Sequence, residues 1–214
     1  MHLALGWAAW KTYLGRPDTD NIRCGAMGVL GTALGSNGRS EEGLPVYEAL
    51  LALIRRNWSH NEKLVLSAQT NLANCLDHLG RYDEALVLQR DIYARSVTMR
   101  GASHRSTIIS GCSLCSALIF TGRFAEAKSL LRDQLLPRSR SLGATDGVAL
   151  DVEEWLAQAL RKDPEASRDD YCEAETLLEG ALQRRRRVFG PAHPKTTWCE
   201  EELVILGENL SRSA

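Results

Sequence analysis

A six-residue motif recurs along this chain at a fixed spacing. The pattern Gly-Arg-x-x-Glu followed by a small residue begins at residues 38, 80 and 122, so two successive spacings are both of 42 residues. In a looser fourth copy Tyr171 follows Phe124 by 47 residues, which implies an insertion of five residues, fitting the polar stretch 162–168. Self-similarity at a period of this length is typical of repeat architectures, in which small supersecondary units stack on one another.

The residues before each motif predict the first helix of a pair. Leucines recur at one repeat position, and each is followed by a small residue and, four positions on, by another leucine; the first leucines are Leu30, Leu72, Leu114 and Leu156. Leucines at i and i+4 share a helical face, and the small residue lets a neighbouring helix approach closely. The glycine of the motif tolerates the positive φ that ends many helices, so a second helix is expected after it.

The chain is therefore predicted to be all-α, an α-solenoid of antiparallel helix pairs that spans 1–214 as a single array. We expect an unpaired second helix at 2–14 and an unpaired first helix at 194–209. The four pairs between them are predicted over about 21–57, 62–100, 105–142 and 146–189. Pro137 falls late in a second helix and is expected to kink it or to end it early.

Composition argues against several other classes of protein. The 26 basic residues nearly balance the 27 acidic ones, so nucleic acid is not an expected partner. The six cysteines are too dispersed for a small disulfide scaffold, which favours reduced thiols in a cytoplasmic protein. No apolar run approaches the length of a membrane span. The apolar opening, residues 1–10, lacks the basic leading segment of a signal peptide and is predicted to be helical.

Three features could carry chemistry, and each has a simpler structural interpretation. Cys112 and Cys115 have metal-like spacing, but a structural zinc site needs four ligands, so buried thiols without a metal or cofactor are expected. His60, His104 and His193 recur in successive loops that are displaced along the stack, which favours capping or packing over catalysis. The arginine run 184–187 spreads around more than one helical face, and we expect it on the solvated side of its helix. No catalytic residue is predicted.

The run Asn71-Leu72-Ala73, followed by Leu76 and the motif at 80–85, resembles a tetratricopeptide repeat. The spacing of 42 and the Gly-Pro-Ala-His-Pro loop at 190–194 are similar to the long variant of kinesin light chain and nephrocystin-like proteins. The resemblance implies a right-handed superhelix whose first helices line a concave groove for an extended peptide. It also implies that Asn71 is the groove asparagine of the family, whose amide can both donate to and accept from a peptide backbone.

Helical spacing then names the residues of the groove that the resemblance implies. In the second pair they are Ser67, Thr70, Asn71, Asn74, Asp77 and His78. In the third and fourth pairs they are Ile109, Cys112, Ser113, Ser116 and Phe120, and then Asp151, Glu154, Trp155, Gln158 and Arg161. The first pair contributes Gly25, Gly28 and Thr32, and few groove positions are basic, so a clamp for a terminal carboxylate is not expected. The glycines predict a weak first helix in that pair.

The leading hypothesis is a protein–protein interaction scaffold or adaptor that binds a peptide segment of a protein partner. The alternative is the accessory repeat region of a larger enzyme or signalling protein whose catalytic domain is absent from this chain. A nucleic-acid binder that uses the arginine run is a third hypothesis, and catalysis by this chain itself is the least expected function. The sequence leaves the partner and the oligomeric state open.

Overall fold

The computed structural model describes residues 2–212, and every regular element within that range is helical, which confirms the all-α prediction for them. The helices are α1 (His2–Tyr13), α2 (Asn21–Gly35), α3 (Ser40–Trp58), α4 (Glu62–His78), α5 (Tyr82–Arg100), α6 (Arg105–Phe120), α7 (Phe124–Ser129), α8 (Leu136–Ser139), α9 (Gly147–Lys162), α10 (Arg168–Phe189) and α11 (Pro194–Arg212). A π-helix (Leu130–Leu135) precedes α8, and a 3-10 turn (Arg140–Leu142) follows it. None of the described helices combines the length and the apolar character that a membrane span requires.

Each Gly-Arg motif forms the same turn between two paired helices. After α4, the N–H of Gly80 donates to the carbonyl of Asp77 over 3.1 Å, and the N–H of Arg81 donates to the carbonyl of Leu76 over 3.0 Å. These two bonds satisfy carbonyls at the helix end, and the φ of +72° at Gly80 is one that glycine adopts without strain. Equivalent bonds and positive φ angles recur at Gly38 and Gly122. The 42-residue period is therefore a repeated helix stop.

The arginine and the glutamate of each motif also form an ion pair. The pairs are Arg39–Glu42 and Arg81–Glu84, each at 2.6 Å, and Arg123–Glu126. All six side chains are more than 40% exposed, and such surface pairs contribute at most about 1 kcal/mol each. The glycine therefore matters more than the ion pair for the turn.

The small residue of the first helices is needed where paired helices cross. In α2 it is Gly31, and a Cβ built there would lie 2.6 Å from Cζ of Tyr47 on α3. Carbon atoms do not approach that closely, so the crossing of α2 and α3 requires glycine at this position. Leu30 and Leu34, the two leucines of this helix, are buried as predicted.

The chain divides into two compact units between Arg95 and Ser96, inside α5. In the first unit α1 packs on α2, α2 on α3 and α3 on α4, around a cluster that includes Tyr47, Leu50 and Ile54. In the second unit α6 packs on α9, α9 on α10 and α10 on α11. Each unit therefore has helix pairs and buried side chains of its own.

Pro137 changes the second helix of the third pair without ending it. Proline has no N–H to donate, and its ring clashes with the carbonyl four residues earlier in an α-helix. The π-helix Leu130–Leu135 lies directly before this point, and its wider hydrogen-bond spacing relieves that conflict. The expected early end is therefore not found. The helical path continues through α8 to Leu142 by a change of register, and Leu131 and Leu135 stay buried.

Candidate peptide-binding groove

A cavity of about 410 Å³ opens between α2 and α4 in the first unit. Most of its lining residues have a polar side chain and none is Asp, Glu, Lys or Arg; they are Thr32, Gly35, Ser36, Ser40, Tyr47, Asn71, Asn74, Cys75 and His78. Four of these residues lie on α4 and two on α2, Ser36 directly follows α2, and Ser40 and Tyr47 come from α3. The cavity therefore has the chemistry of a site for a polar, uncharged group.

Three of the predicted groove residues, Asn71, Asn74 and His78, line this cavity together. Their spacing of three and four residues places them on one face of α4. Ser67, one turn before Asn71, begins the same face and is exposed. Within the described residues, the side-chain amides of Asn71 and Asn74 form no hydrogen bond to another part of the chain. Their donors and acceptors are therefore available to a ligand.

Thr70 and Asp77 are also predicted groove residues, but neither is part of this lining. The Thr70 hydroxyl donates to the carbonyl of Leu66 over 2.8 Å. Asp77 accepts a long hydrogen bond of 3.5 Å from the amide of Gln89 on α5. Burial raises the pKa of Asp77 to about 6, and the bond from Gln89 opposes that shift. Asp77 therefore belongs to the contact between α4 and α5.

A second cavity, of about 450 Å³, lies along α2 on the side of α1. Its lining is mostly apolar or without side chains, and consists of His2, Leu5, Gly25, Gly28, Val29, Thr32, Ala33, Ser36 and Asn71. Thr32, Ser36 and Asn71 line both cavities. The two cavities therefore adjoin each other at these three residues, and the residues that line them are together called the α2 groove.

A third cavity, of about 450 Å³, adjoins the α2 groove at Gly35, Ser40 and His78. It lies at the turn between α2 and α3, where Arg39 and Glu42 form the 2.6 Å ion pair of the repeat motif. These two charges are thus compensated within the chain.

The centre of the α2 groove is held by hydrogen bonds. The Thr32 hydroxyl donates to the carbonyl of Gly28 over 2.9 Å, and its oxygen lies 3.2 Å from the hydroxyl of Tyr47. Because the proton of Thr32 is already used, Tyr47 donates in this second bond. Burial raises the pKa of Tyr47, which keeps it protonated for that role. On the other side, the Cys75 thiol donates to the carbonyl of Ser40 over 3.3 Å.

The structure adds groove residues that the sequence reasoning did not name. Ser36 and Val29 lie 42 residues before His78 and Asn71, so the repeat register contains the signal for both. Leu5 of α1 carries no such signal, because α1 lies outside the four predicted pairs.

The remaining predicted residues lie on α6 and α9 of the second unit. Ser113, Ser116, Trp155 and Gln158 are all half-buried there. Arg161 is ion-paired with Glu202 of α11 at 2.8 Å, and the two side chains are 14% and 12% exposed. Arg161 therefore joins α9 to α11. The ammonium group of Lys162, the next residue, lies 4.7 Å from the ring centroid of Phe120.

Asp151 and Glu154 were assigned to the groove by spacing, and the structure places them in a buried ion cluster instead. Arg185 of α10, whose side chain is 1% exposed, lies 2.6 Å from Asp151 and also bonds to Glu154. Lys195 of α11 pairs with Asp151 as well, and the thiol of Cys199 donates to Glu154 over 3.4 Å. Burial raises the pKa of Glu154, and Arg185 opposes that effect. The cluster joins α9, α10 and α11.

The same contacts correct the prediction for the arginine run. Arg184 binds the carboxylate of Glu153, Arg185 is buried in the cluster, and Arg186 lies 2.7 Å from Glu200. The helices on either side of α10 present these carboxylates, which the sequence of one helix does not show. Three of the four arginines therefore bind neighbouring helices.

Cys112 and Cys115 are buried, and burial raises the pKa of Cys112 to about 12 and also raises the pKa of Cys115. Both groups are therefore protonated and poor nucleophiles at neutral pH. Within the described residues no three His, Cys, Asp or Glu side chains are placed to hold a metal ion.

His104 and His193 cap the helices that follow their loops, α6 and α11. The Nδ1 atom of each histidine accepts the backbone N–H two residues later.

Comparison with known proteins identifies the repeat. The sequence profile of the tetratricopeptide repeat family matches residues 65–106 and 165–195. A search of curated proteins found no match. Kinesin light chain TPR-like repeats from Podosopora anserina are 20% identical over 86% of this chain and 86% of that one, with a TM-score of 0.73. BtubC (BKLC) from P. vanneervenii is 16% identical over 99% of this chain and 85% of that one, with a TM-score of 0.75.

A Rap protein complexed with Competence and Sporulation Factor is more distant, with 14% identity over 99% of this chain and 59% of that one, and a TM-score of 0.56. Together, the helix pairs and these matches define an α-solenoid, as the sequence predicted. The two matched segments carry tetratricopeptide-type repeats. The fold of the chain is similar to that of kinesin light chain-like arrays, which confirms the resemblance found in the sequence.

Proposed function

We propose that this chain is an interaction adaptor whose α2 groove binds a peptide segment of a partner protein. The observation that carries the proposal is the pair of free side-chain amides of Asn71 and Asn74, which face a preformed cavity of about 410 Å³. A side-chain amide offers both a donor and an acceptor, which is what a peptide group needs in order to be matched.

The geometry of α4 suits an extended ligand. Side chains three residues apart on a helix are about 5–6 Å apart at Cβ. Alternate residues of an extended peptide are about 6.8 Å apart and point in the same direction. Asn71 and Asn74 can therefore bind two peptide groups on the same side of one extended strand, while Ser36 faces the strand from α2.

We also propose that the chain has no catalysis of its own and acts in the cytoplasm. Five of its six cysteines are buried free thiols, which suits a reducing compartment. In the ion cluster, burial and the Glu154 carboxylate raise the pKa of the Cys199 thiol to about 12, so this thiol is protonated and poorly nucleophilic at neutral pH. Partner binding, not substrate conversion, is the activity to test.

The test compares the wild-type chain with an Asn71→Ala/Asn74→Ala variant. Proteins captured from a lysate by the wild type are identified, and overlapping peptides that cover their sequences are synthesised. The affinity of each peptide is then measured by fluorescence polarisation. Two lost hydrogen bonds of roughly 0.5–1.5 kcal/mol each predict a rise in Kd of roughly 5- to 150-fold.

The matched control is Gln183→Ala/Asn209→Ala, which removes two amides from α10 and α11 and leaves the α2 groove intact. This control should bind each peptide within twofold of the wild type. Equal loss in both double variants, or no loss in either, would contradict binding at the α2 groove.

A further inference from the structure

The α2 groove is lined by uncharged residue types together with two histidines. No Asp, Glu, Lys or Arg lines either of its two cavities. Its histidines are His2 and His78; in the adjoining third cavity Arg39 and Glu42 form an ion pair, and Glu41 also belongs to that lining. A charged ligand side chain entering this groove would lose hydration without gaining a countercharge. The lining therefore selects against charged ligand residues.

On the α2 side of the groove, three glycines leave the helix backbone accessible, with empty space above it. A Cβ added at Gly25 or Gly35 would meet no atom within 4 Å, and one added at Gly28 would meet only the side chain of Leu50, at 3.8 Å. These positions differ from Gly31, where an added Cβ would lie 2.6 Å from Cζ of Tyr47. Folding does not require glycine at positions 25, 28 and 35, although glycine weakens a helix there. A ligand that lies against the backbone of α2 does require small residues at such positions.

The two halves of the groove differ in polarity. Around Gly25, the side chains of Leu5 and Val29 are 59% and 52% exposed, so this half is apolar and open to solvent. Towards α4, the lining is made of hydroxyl and amide groups that include Ser36, Asn71 and Asn74. From position 25 to position 36 the helix rises roughly 16 Å, which an extended chain covers in about five residues.

We propose that the α2 groove selects an uncharged, extended peptide segment of about five residues that has an apolar side chain at one end. The apolar side chain lies against Gly25, between Leu5 and Val29, and the peptide groups that follow bind Asn71 and Asn74. This inference rests on the proposed function of the groove and adds the ligand class to it.

The experiment uses three pools of acetylated and amidated heptapeptides, with the full chain labelled for fluorescence binding. The neutral pool contains only Gly, Ala, Ser, Thr, Asn, Gln, Val and Leu. The acidic and basic pools have the same composition, with Glu or Lys respectively at three positions. The neutral pool is expected to bind at least tenfold more tightly than either charged pool, at both low and moderate salt.

The decisive variant is Gly25→Leu, which fills the open space at the apolar end with a side chain that favours helix. It should keep or raise the melting temperature and weaken binding of the neutral pool at least tenfold. The matched control is Gly207→Leu in α11, another helical glycine with no atom within 4 Å of an added Cβ. That variant should leave binding within twofold of the wild type.

The outcomes separate the ligand class from the groove itself. A charged pool that binds best, and that loses affinity in the Asn71→Ala/Asn74→Ala variant, would overturn the neutral class and keep the groove. Neutral binding that Gly25→Leu does not weaken would overturn the placement of the apolar side chain. If no pool binds with a Kd below about 1 mM, which is the weak end of recognition, both proposals are overturned.

Discussion

Replacing Arg185 by methionine should destabilise the second unit more than any other single change in the arginine run. Arg185 is 1% exposed, and its guanidinium binds Asp151 and Glu154 together. Methionine has similar bulk but no charge, so the substitution removes the bonds and leaves the space filled. Glu154, which is 7% exposed, would then keep only the weak donor of Cys199.

The magnitude follows from the carboxylate that remains. Removing one partner of a buried ion pair costs about 3–5 kcal/mol, because the other charge stays buried without compensation. Asp151 is less affected, since Lys195 still pairs with it. Removing both buried partners in Arg185→Met/Glu154→Leu should restore most of the loss, because apolar residues of similar volume often replace such pairs at little or no cost.

The assay is urea unfolding followed by circular dichroism at pH 7, with wild type, both variants and Arg187→Met measured in parallel. Arg187 is the exposed neighbour in the same run, so its variant controls for the loss of one positive charge and should change stability by at most about 0.5 kcal/mol. Similar losses in Arg187→Met and Arg185→Met would refute the account of the cluster. A double variant less stable than Arg185→Met would refute the assignment of the loss to Glu154.

Further predictions concern the glycines, one carboxylate and the thiols. Gly31→Ala should cost about 1–3 kcal/mol by overpacking against Tyr47, whereas Gly25→Ala should stabilise the fold by about 0.5–1 kcal/mol. If thermal unfolding shows that both changes stabilise the protein, or that both destabilise it, the packing described is contradicted. Because the folded pKa of Asp77 is raised to about 6, this residue should contribute a gain in stability as pH falls from about 6 to 4, seen as the difference between wild type and Asp77→Asn. Asp77→Asn should remove that gain and be more stable at pH 7 by about 1–3 kcal/mol, so parallel pH profiles from urea unfolding would refute it. With a thiol reagent under native conditions only Cys172 should react promptly, and rapid reaction of a second thiol would contradict the burial of the others.

The repeat register predicted the elements that local chemistry determines. Gly80 is the example, because the turn it forms needs only the backbone of its own helix end and one residue with positive φ. The same register brought Asn71, Asn74 and His78 to one face of α4, since helical spacing alone fixes which side chains share a face.

Sequence reasoning failed where a neighbouring helix decides the outcome. Helical spacing alone assigned Asp151 and Glu154 to a groove, but Arg185 on α10 binds both of them. Pro137 was expected to kink its helix or to end it early, and the early end is not found, because a local change to π-helical hydrogen bonding before it keeps the helical path continuous. The contacts of Arg185 come from tertiary packing, which a repeat pattern does not encode.

The claim that the α2 groove is the binding surface is tested most directly by site-specific photo-crosslinking. A benzophenone amino acid replaces Ser36, which lines both cavities of the groove, and in a second protein it replaces the exposed Gln183 of α10. Both proteins are irradiated in a lysate, and the crosslinked segments are identified by mass spectrometry. The account predicts a defined set of crosslinked peptides from position 36 that the Asn71→Ala/Asn74→Ala changes remove, with no such set from position 183. Crosslinks that are the same at both positions, or that survive the loss of both asparagines, would contradict it.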